Sequence, residues 1–333
     1  MDIENRIVNY QRGVLKMKKG NLIIQIDCDS EKILANHYFG YRNDKSTGNN
    51  TYYRALRRFY NIFQLYGYKS TLFVVGEDLF CKEKISLLEY GLINGYEVAN
   101  HSFTHPIIFK NTNEFSIERE IEMGHLKIEN ILGVRCAGFR APNFEISSEV
   151  IKILNDMDYI YDCSVFPTPY TNIIRSIKNN GKYRKKNGGY LADWKYSLSP
   201  QDVYIPETCS PWRRSNKKNR GNMLNELPIS VFPITKTPCH ASYLLALPKK
   251  MRLHLLHRLI NAYANNSVPL VYVFHLAELV EDEYLIGDEK KYYPSLMERM
   301  DFINEFCKIT AERFNCMTTL QYIKEKREKE NEE

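Results

Sequence analysis

Long hydrophobic runs are missing from this chain of 333 residues: none approaches the ~20 residues that a membrane span needs. The opening Met1-Asp2-Ile3-Glu4-Asn5-Arg6 holds no hydrophobic signal region, so neither a transmembrane segment nor secretion is expected, and the expected compartment is the cytoplasm. Paired cysteines are missing too. The eight stand at 28, 81, 136, 163, 209, 239, 307 and 316, with no Cys-x-x-Cys and no tight cluster. That excludes a zinc ribbon and a disulfide-dense secreted scaffold, and they read as reduced, small apolar residues. Charge of one sign is nearly balanced by the other: 46 Lys and Arg against 40 Asp and Glu leave +6, too little to mark a nucleic-acid partner. Internal repeats and a separate linker are absent. What the chain does have is core: 44% hydrophobic and 13% aromatic residues exclude disorder for its bulk.

The first two thirds alternate in a βα rhythm. Asn21-Leu22-Ile23-Ile24-Gln25-Ile26-Asp27 is a short, mostly apolar strand of the kind buried on both faces in a parallel sheet. Residues 51–66 carry helical periodicity through Leu56, Phe59, Tyr60, Phe63 and Tyr66, closed by Gly67. Ser70-Thr71-Leu72-Phe73-Val74-Val75 is the second strand, followed by a helix over 82–94 that Gly95 closes. Strands at 96–99, 136–139 and 159–162 follow, with helices at about 113–132 and 147–157 between them, the latter capped by Ser147. Repeated βα units predict parallel strands with helices outside, as a barrel or an open sheet. The rhythm breaks over about 168–242, where Asn, Gly, Ser and Pro dominate around short strand-like pieces at 202–205 and 226–231. It resumes with a helix near 248–265, the strand Pro269-Leu270-Val271-Tyr272-Val273-Phe274 and a helix near 295–314; the mixed charges from Lys324 onward read as a frayed, solvated helix end. The organisation expected is an extension over 1–20, one α/β domain over 21–320 with the insertion at about 168–242, and a charged tail over 321–333.

Polar residues stand where the strands end: Asp27 and Asp29 after the first, His101 and His105 after the third, Arg140 after the fourth, Asp162 at the fifth and His275 after the late strand. In parallel α/β folds these ends converge on one mouth. Two histidines four apart share a face of a helical turn, so His101 and His105 can hold one ion, with Asp29 as third ligand. Three N/O ligands leave a position open for water, the pattern of a catalytic zinc site, and such a metal brings bound water to a pKa of roughly 7. Asp27 could accept the water's proton, Arg140 could hold Asp27 ionised, and His275 could protonate a departing amine. Each piece has an ordinary alternative: Asp-x-Asp as turn chemistry, the histidines as core or surface residues, Arg140 in a salt bridge, Asp162 as a strand-end cap. His37, His125, His254 and His257 have no matching context, and His240 lies in the irregular insertion.

The order of these motifs resembles the polysaccharide deacetylase family, carbohydrate esterase family four. The resemblance runs through Asp27-Cys28-Asp29, Ser70 to Gly76, Gly95-Tyr96-Glu97-Val98-Ala99-Asn100-His101-Ser102-Phe103-Thr104-His105, Gly138-Phe139-Arg140-Ala141-Pro142, Tyr161-Asp162-Cys163-Ser164-Val165-Phe166-Pro167 and Val273-Phe274-His275-Leu276-Ala277-Glu278. Glu226-Leu227-Pro228-Ile229-Ser230 is similar to a segment of a cytoplasmic-type branch. The resemblance implies a distorted (β/α) barrel of about seven parallel strands and metal-dependent hydrolysis of an N-acyl, in first place N-acetyl, amide on a sugar. It assigns Asp29, His101 and His105 to one divalent metal (zinc, or cobalt or nickel), Asp27 as base, His275 as acid and Arg140 as the residue orienting the base. Asp162 and Pro142 fall on the substrate side, and a backbone N–H from the loop after Asp162 would help stabilise the oxyanion. The family's first motif has adjacent aspartates followed by Gly-Pro; here Cys28 intervenes and Ser30-Glu31 follows, which makes Glu31 a rival base.

The insertion concentrates charge. Residues 175–220 hold 12 Lys and Arg against three Asp and Glu, a net of +9, leaving −3 for the rest of the chain. Tyr183, Tyr190, Trp194, Tyr196, Tyr204 and Trp212 are interleaved with these cations. Aromatic faces suit sugar rings and Arg or Lys suits phosphate or uronate groups, so Trp212 and Arg213 are expected to grip an anionic glycan or a lipid- or nucleotide-linked sugar; the alternative is a solvated loop. Two other readings stand beside the deacetylase: a family member that only binds glycans, and an iron(II) oxygenase built on two histidines and a carboxylate. A zincin protease is excluded because the His101–His105 motif lacks the glutamate of His-Glu-x-x-His.

Overall fold

The computed structural model describes residues 19–30, 33, 50–106, 109, 114–170, 194–216, 224–284 and 293–332. Its centre is β1 (Gly20–Cys28), whose alternation sends successive side chains to two different cores. Leu22, Ile24, Ile26 and Cys28 face the helical layer, whereas Ile23 faces the barrel interior and Gln25 and Asp27 share its side. Every ladder on this sheet is parallel: β1 pairs with β2 (Thr71–Val74) and with β9 (Leu270–His275), β2 with β3 (Glu97–Asn100), and then follow β4 (Gly138–Phe139), β5 (Tyr161–Asp162) and β8 (Asn225–Glu226). These seven parallel strands form a distorted α/β barrel, as the family resemblance implies. The run after β8 closes it: Leu227 N–H donates to Asp162 O, Ile229 N–H to Val165 O and Ser230 N–H to Val271 O on β9.

Helices α1 (Asn50–Gln64), α2 (Lys82–Ile93), α3 (Glu114–Leu132) and α4 (Ser148–Asp156) cover the outside of the first half. The expected punctuation holds: Gly67 and Gly95 take φ of +67° and +82°, and the Ser147 hydroxyl accepts from Val150 N–H. In the insertion, β6 (Pro206–Glu207) and β7 (Ser210–Arg214) make an antiparallel hairpin, and the piece expected at 202–205 shrinks to one bridge from Tyr204 to Glu226. Two helices, α5 (Ala241–Leu245) and α6 (Lys249–Ala264), lead into β9, and α7 (Leu296–Ala311) starts in a Ser295/Glu298 capping box. Among the described residues no helix is long and apolar enough to cross a membrane.

The C-terminus departs from the sequence reading. The expected helix over 295–314 stops at Ala311, and β10 (Phe314–Met317) follows, pairing with residues 20–23 of β1. Because β9 pairs along residues 22–27, β10 and β2 share the opposite edge of β1, β10 below and β2 above. Helix α8 (Thr319–Glu332) then plugs the barrel floor with Tyr322 and Ile323, and Tyr322 and Lys326 reach Asp202 at 2.6 and 2.7 Å. The charges around these two apolar residues hid the helix's buried end. Ile323→Ala should therefore cost about 2–5 kcal/mol in urea denaturation, while the exposed Lys329→Ala stays within about 0.5 kcal/mol; equal effects would mean an undocked tail.

Candidate metal centre

Strand register brings the singled-out residues to one end of the barrel. Asp27 lies opposite His275 on β9 and Phe73 on β2, Asn100 opposite Phe139, and Phe139 opposite Asp162. One residue past β1, Asp29 meets the two histidines that follow β3: its Oδ1 stands 3.7 Å from His101 Nε2 and 3.6 Å from His105 Nε2. All three side chains are buried and their ligand atoms lie within 4.8 Å of one another. Cys28, between the two aspartates, points to the other face of β1 and packs in the helical layer, so its insertion leaves both carboxylates on the site side.

The histidine segment is no helical turn, contrary to the sequence reading. Its hydrogen bonds go to neighbours: Gly76 and Glu77 N–H donate to Ser102 and Phe103 carbonyls at 3.0 and 2.8 Å, and Phe103 and Thr104 N–H donate to the Glu120 carboxylate. Ser102 and His105 take positive φ, 66° and 53°, and this turns the second imidazole back toward the first, their ring centroids 4.8 Å apart.

These residues fit a divalent ion. Asp29 Oδ1 is buried without a hydrogen-bond donor, and burial pushes the Asp29 carboxyl up to about 7. A cation held among the three ligand atoms would supply the missing counter-charge. His101 Nδ1–H donates to the Arg140 carbonyl at 2.8 Å, which leaves the Nε2 lone pair aimed at Asp29. Burial holds the His101 pKa below the usual histidine value, so the ring is in the neutral form a ligand requires.

Beside this centre Arg140 is fully buried, and its guanidinium donates to Asp27 Oδ1, Gln25 Oε1 and, from Nε at 3.1 Å, Cys163 O. Its carbon lies 4.1 Å from the Phe73 ring centroid. Burial raises the Asp27 carboxyl, but Arg140 and the nearby His101 and His275 outweigh it and hold Asp27 below the usual carboxylate value. His275 Nε2 stands 3.5 Å from Asp27 Oδ2. Its Nδ1 faces Glu278 at 3.5 Å and the Ser242 hydroxyl at 3.2 Å, and that hydroxyl donates to Glu278 at 2.7 Å. Burial lowers the His275 pKa, yet Glu278, Asp27 and Asp29 together raise it above the usual value.

The loop after Asp162 is occupied differently than expected. Cys163 N–H donates to Phe139 O, Ser164 N–H to Asp162, and Val165 N–H to Glu226, so none of the three is left to meet an oxyanion. Asp162 itself is fully buried, takes the Ser164 hydroxyl at 2.6 Å, and lies beside Glu226 in the β5–β8 register. Burial and the Asp162 charge push Glu226 well above the carboxylate range. Pro142 is buried next to Arg140 at the start of a short 3-10 turn. Trp212 packs on Tyr196 with centroids 5.5 Å apart and Arg213 is exposed, both on the β6–β7 hairpin; none of the partners they show belongs to the metal cluster. Glu31 and most of the basic stretch, 171–193 and 217–223, lie outside the described residues, as does His37. His125 bonds Tyr159 and Glu129, and His254 and His257 are exposed. His240, in contrast, packs 5.8 Å from the His275 ring. Sequence reasoning gave no site role to Gln25, Ser242, Glu226 or Glu278, although Glu226 and Glu278 stand within the segments that carry the family resemblance.

Residues 47–161 match the polysaccharide deacetylase family model. The resemblance carried by the motifs is borne out over that segment, which holds the two histidines and Arg140. No curated protein matches the chain by sequence. Among solved structures, a Mycobacterium smegmatis protein assigned as a polysaccharide deacetylase aligns at 15% identity over 95% of this chain and 93% of its own, with a TM-score of 0.58. The Puue allantoinase aligns at 11% identity over 91% and 89%, TM-score 0.53. The 4-alpha-glucanotransferase of Thermococcus litoralis aligns at 15% identity over 92% of this chain and 40% of its own, TM-score 0.54. At these identities the likeness is one of fold.

The His275 environment predicts a measurable shift. Glu278→Gln removes a negative charge that favours the imidazolium, so the His275 pKa should fall by about one pH unit in a histidine-labelled NMR titration. An unchanged value would remove Glu278 as the cause.

Proposed function

We propose that the chain is a metal-dependent hydrolase that removes an N-acyl, in first place N-acetyl, group from a sugar or glycan. The observation that carries this reading is the buried Asp29, His101 and His105 cluster with Asp27 and His275 facing each other at 3.5 Å beside it. Asp29, His101 and His105 would hold one divalent ion, zinc in first place and cobalt or nickel as substitutes. Such an ion, when bound, activates a water and polarises an amide carbonyl. Asp27, held ionised by Arg140, takes the proton of the attacking water. His275, kept protonated by the carboxylates on both of its nitrogens, gives a proton to the departing sugar nitrogen. Asp162 serves the substrate side by fixing the 163–165 loop, and Pro142 borders it. Trp212 and Arg213, on an aromatic and basic hairpin, are proposed to meet the outer part of the substrate, a glycan or a lipid- or nucleotide-linked sugar with anionic groups. The glycan-binding alternative leaves the Asp27–Arg140–His275 arrangement without a task. Eight free cysteines support a reducing compartment and thus a cytoplasmic place, and the organisation we favour is one catalytic domain that starts at about residue 21 and runs past 320 to include the docked first turns of α8.

The test combines metal analysis with acetate release from a panel of N-acetylated sugars. Purified protein should carry about one divalent ion per chain. His101→Ala should lose metal and activity together, whereas Asp27→Asn should keep the metal and lose about 10²- to 10⁴-fold in turnover. Full activity in Asp27→Asn would sink the base assignment, and acetate release without bound metal would sink the mechanism.

A further inference from the structure

Helix α3 crosses behind the 101–105 loop, and two of its residues one turn apart meet it. One carboxylate oxygen of Glu120 accepts the N–H groups of Phe103 and Thr104 at 3.1 and 2.8 Å, and the other accepts the Thr104 hydroxyl at 2.7 Å. Gly124 makes the approach possible, since a Cβ there would stand 2.4 Å from Asn100 Oδ1 and 3.0 Å from the Ser102 carbonyl carbon. Asn100 in turn donates to Ile121 O on the same helix at 2.9 Å. Among the described residues Glu120 enters no ion pair, and the three hydrogen bonds its side chain accepts all come from this one loop.

We propose that Glu120 is a positioning residue for the metal centre, holding the loop between His101 and His105 in the conformation that aims both imidazoles at Asp29. The inference rests on the metal reading above and adds a residue to it. Three donors converge on this side chain, the two backbone N–H groups on one oxygen and the Thr104 hydroxyl on the other, and no other described residue offers this loop a side-chain acceptor for those two N–H groups. The loop needs such a clamp because Ser102 and His105 sit at positive φ, a region that residues with a Cβ seldom occupy. The two histidines depend on it unequally. His101 is fixed independently, by its N–H to Val74 O at 2.9 Å and by its ring to Arg140 O. His105 is tied by its N–H to the Ser102 hydroxyl at 3.1 Å, within the loop that Glu120 holds. Loss of the clamp therefore loosens the loop that carries His105, and a site with one loosened ligand binds its ion more weakly while the barrel stays folded.

The experiment strips the full-length protein of metal with a chelator and titrates it with zinc ion against a chromophoric competitor. Melting curves with and without zinc and the absorption spectrum of the cobalt-loaded protein are recorded alongside. Glu120→Ala, which removes all three bonds, should weaken zinc binding by about 10- to 100-fold, shrink the zinc-induced rise in Tm and alter the cobalt spectrum, with circular dichroism unchanged. Thr104→Val, which removes only the hydroxyl bond, should give a smaller loss in the same direction, and it carries the test alone if the Ala variant does not fold. Zinc affinity in these variants equal to that of the wild type overturns the proposal while leaving the metal reading intact. A wild-type chain that binds no zinc or cobalt overturns both.

Discussion

A guanidinium with no access to water has to find all of its partners inside the protein, and Arg140 obtains them from two separate strands, Gln25 and Asp27 on β1 and the Cys163 carbonyl just past β5. That requirement orders much of the barrel interior. It keeps Asp27 ionised and fixes which of its oxygens faces His275. It demands a polar residue at 25, and Gln25, having given its oxygen to Arg140, passes its amide to Thr319 at 3.1 Å, tying the first turn of α8 to the site. It turns the Cys163 carbonyl inward, so the next residues need other anchors, which Asp162 and Glu226 supply. The backbone of the same arginine then accepts from His101 and sets its tautomer.

The consequence is a separation of like groups by environment. Asp27 and Asp29 stand two residues apart on one strand end, yet the first is held down by the cations around it and the second is pushed up to about 7 by burial. His101 and His275 diverge in the same manner, one kept neutral and one favoured as the cation. Pairs of like groups driven apart in this way mark acid, base and ligand roles more clearly than residue type does. The proposed assignments follow the separation: the neutral imidazole to the metal, the charged one to proton donation.

Much of this was legible in the sequence because it is written in short-range periodicity. The alternation of Gln25, Asp27 and Asp29, the glycines at 67 and 95 and the Ser147 cap each depend on two to four neighbouring residues, and each sits where the pattern placed it. What failed was what local pattern cannot encode. His101 and His105 have helical spacing, but Glu120, fifteen residues beyond His105, and Gly76, on another strand's loop, take the hydrogen bonds a helical turn would use. Ser242 and Glu278 meet at His275 across thirty-odd residues of chain. Strand β10 is only four residues long and follows a strongly periodic helix, so its partner on β1 decides its state.

The barrel itself does not choose the chemistry. It is shared with a protein assigned as a polysaccharide deacetylase, with an allantoinase and with part of a glucanotransferase, at TM-scores between 0.53 and 0.58. What narrows the choice is the placement of charge around Asp27. The three candidate ligands lie toward the loop after β3, and His275 lies on β9, the strand on the opposite edge of β1 from the one that leads there. A base between a cation on one side and a proton donor on the other suits a substrate whose carbonyl oxygen and leaving nitrogen must be served in opposite directions. An amide has that polarity along a single bond. In the proposed reaction its acyl end therefore points toward β3 and its sugar nitrogen toward β9, where the Ser242–Glu278 pair keeps the imidazole turned to receive it.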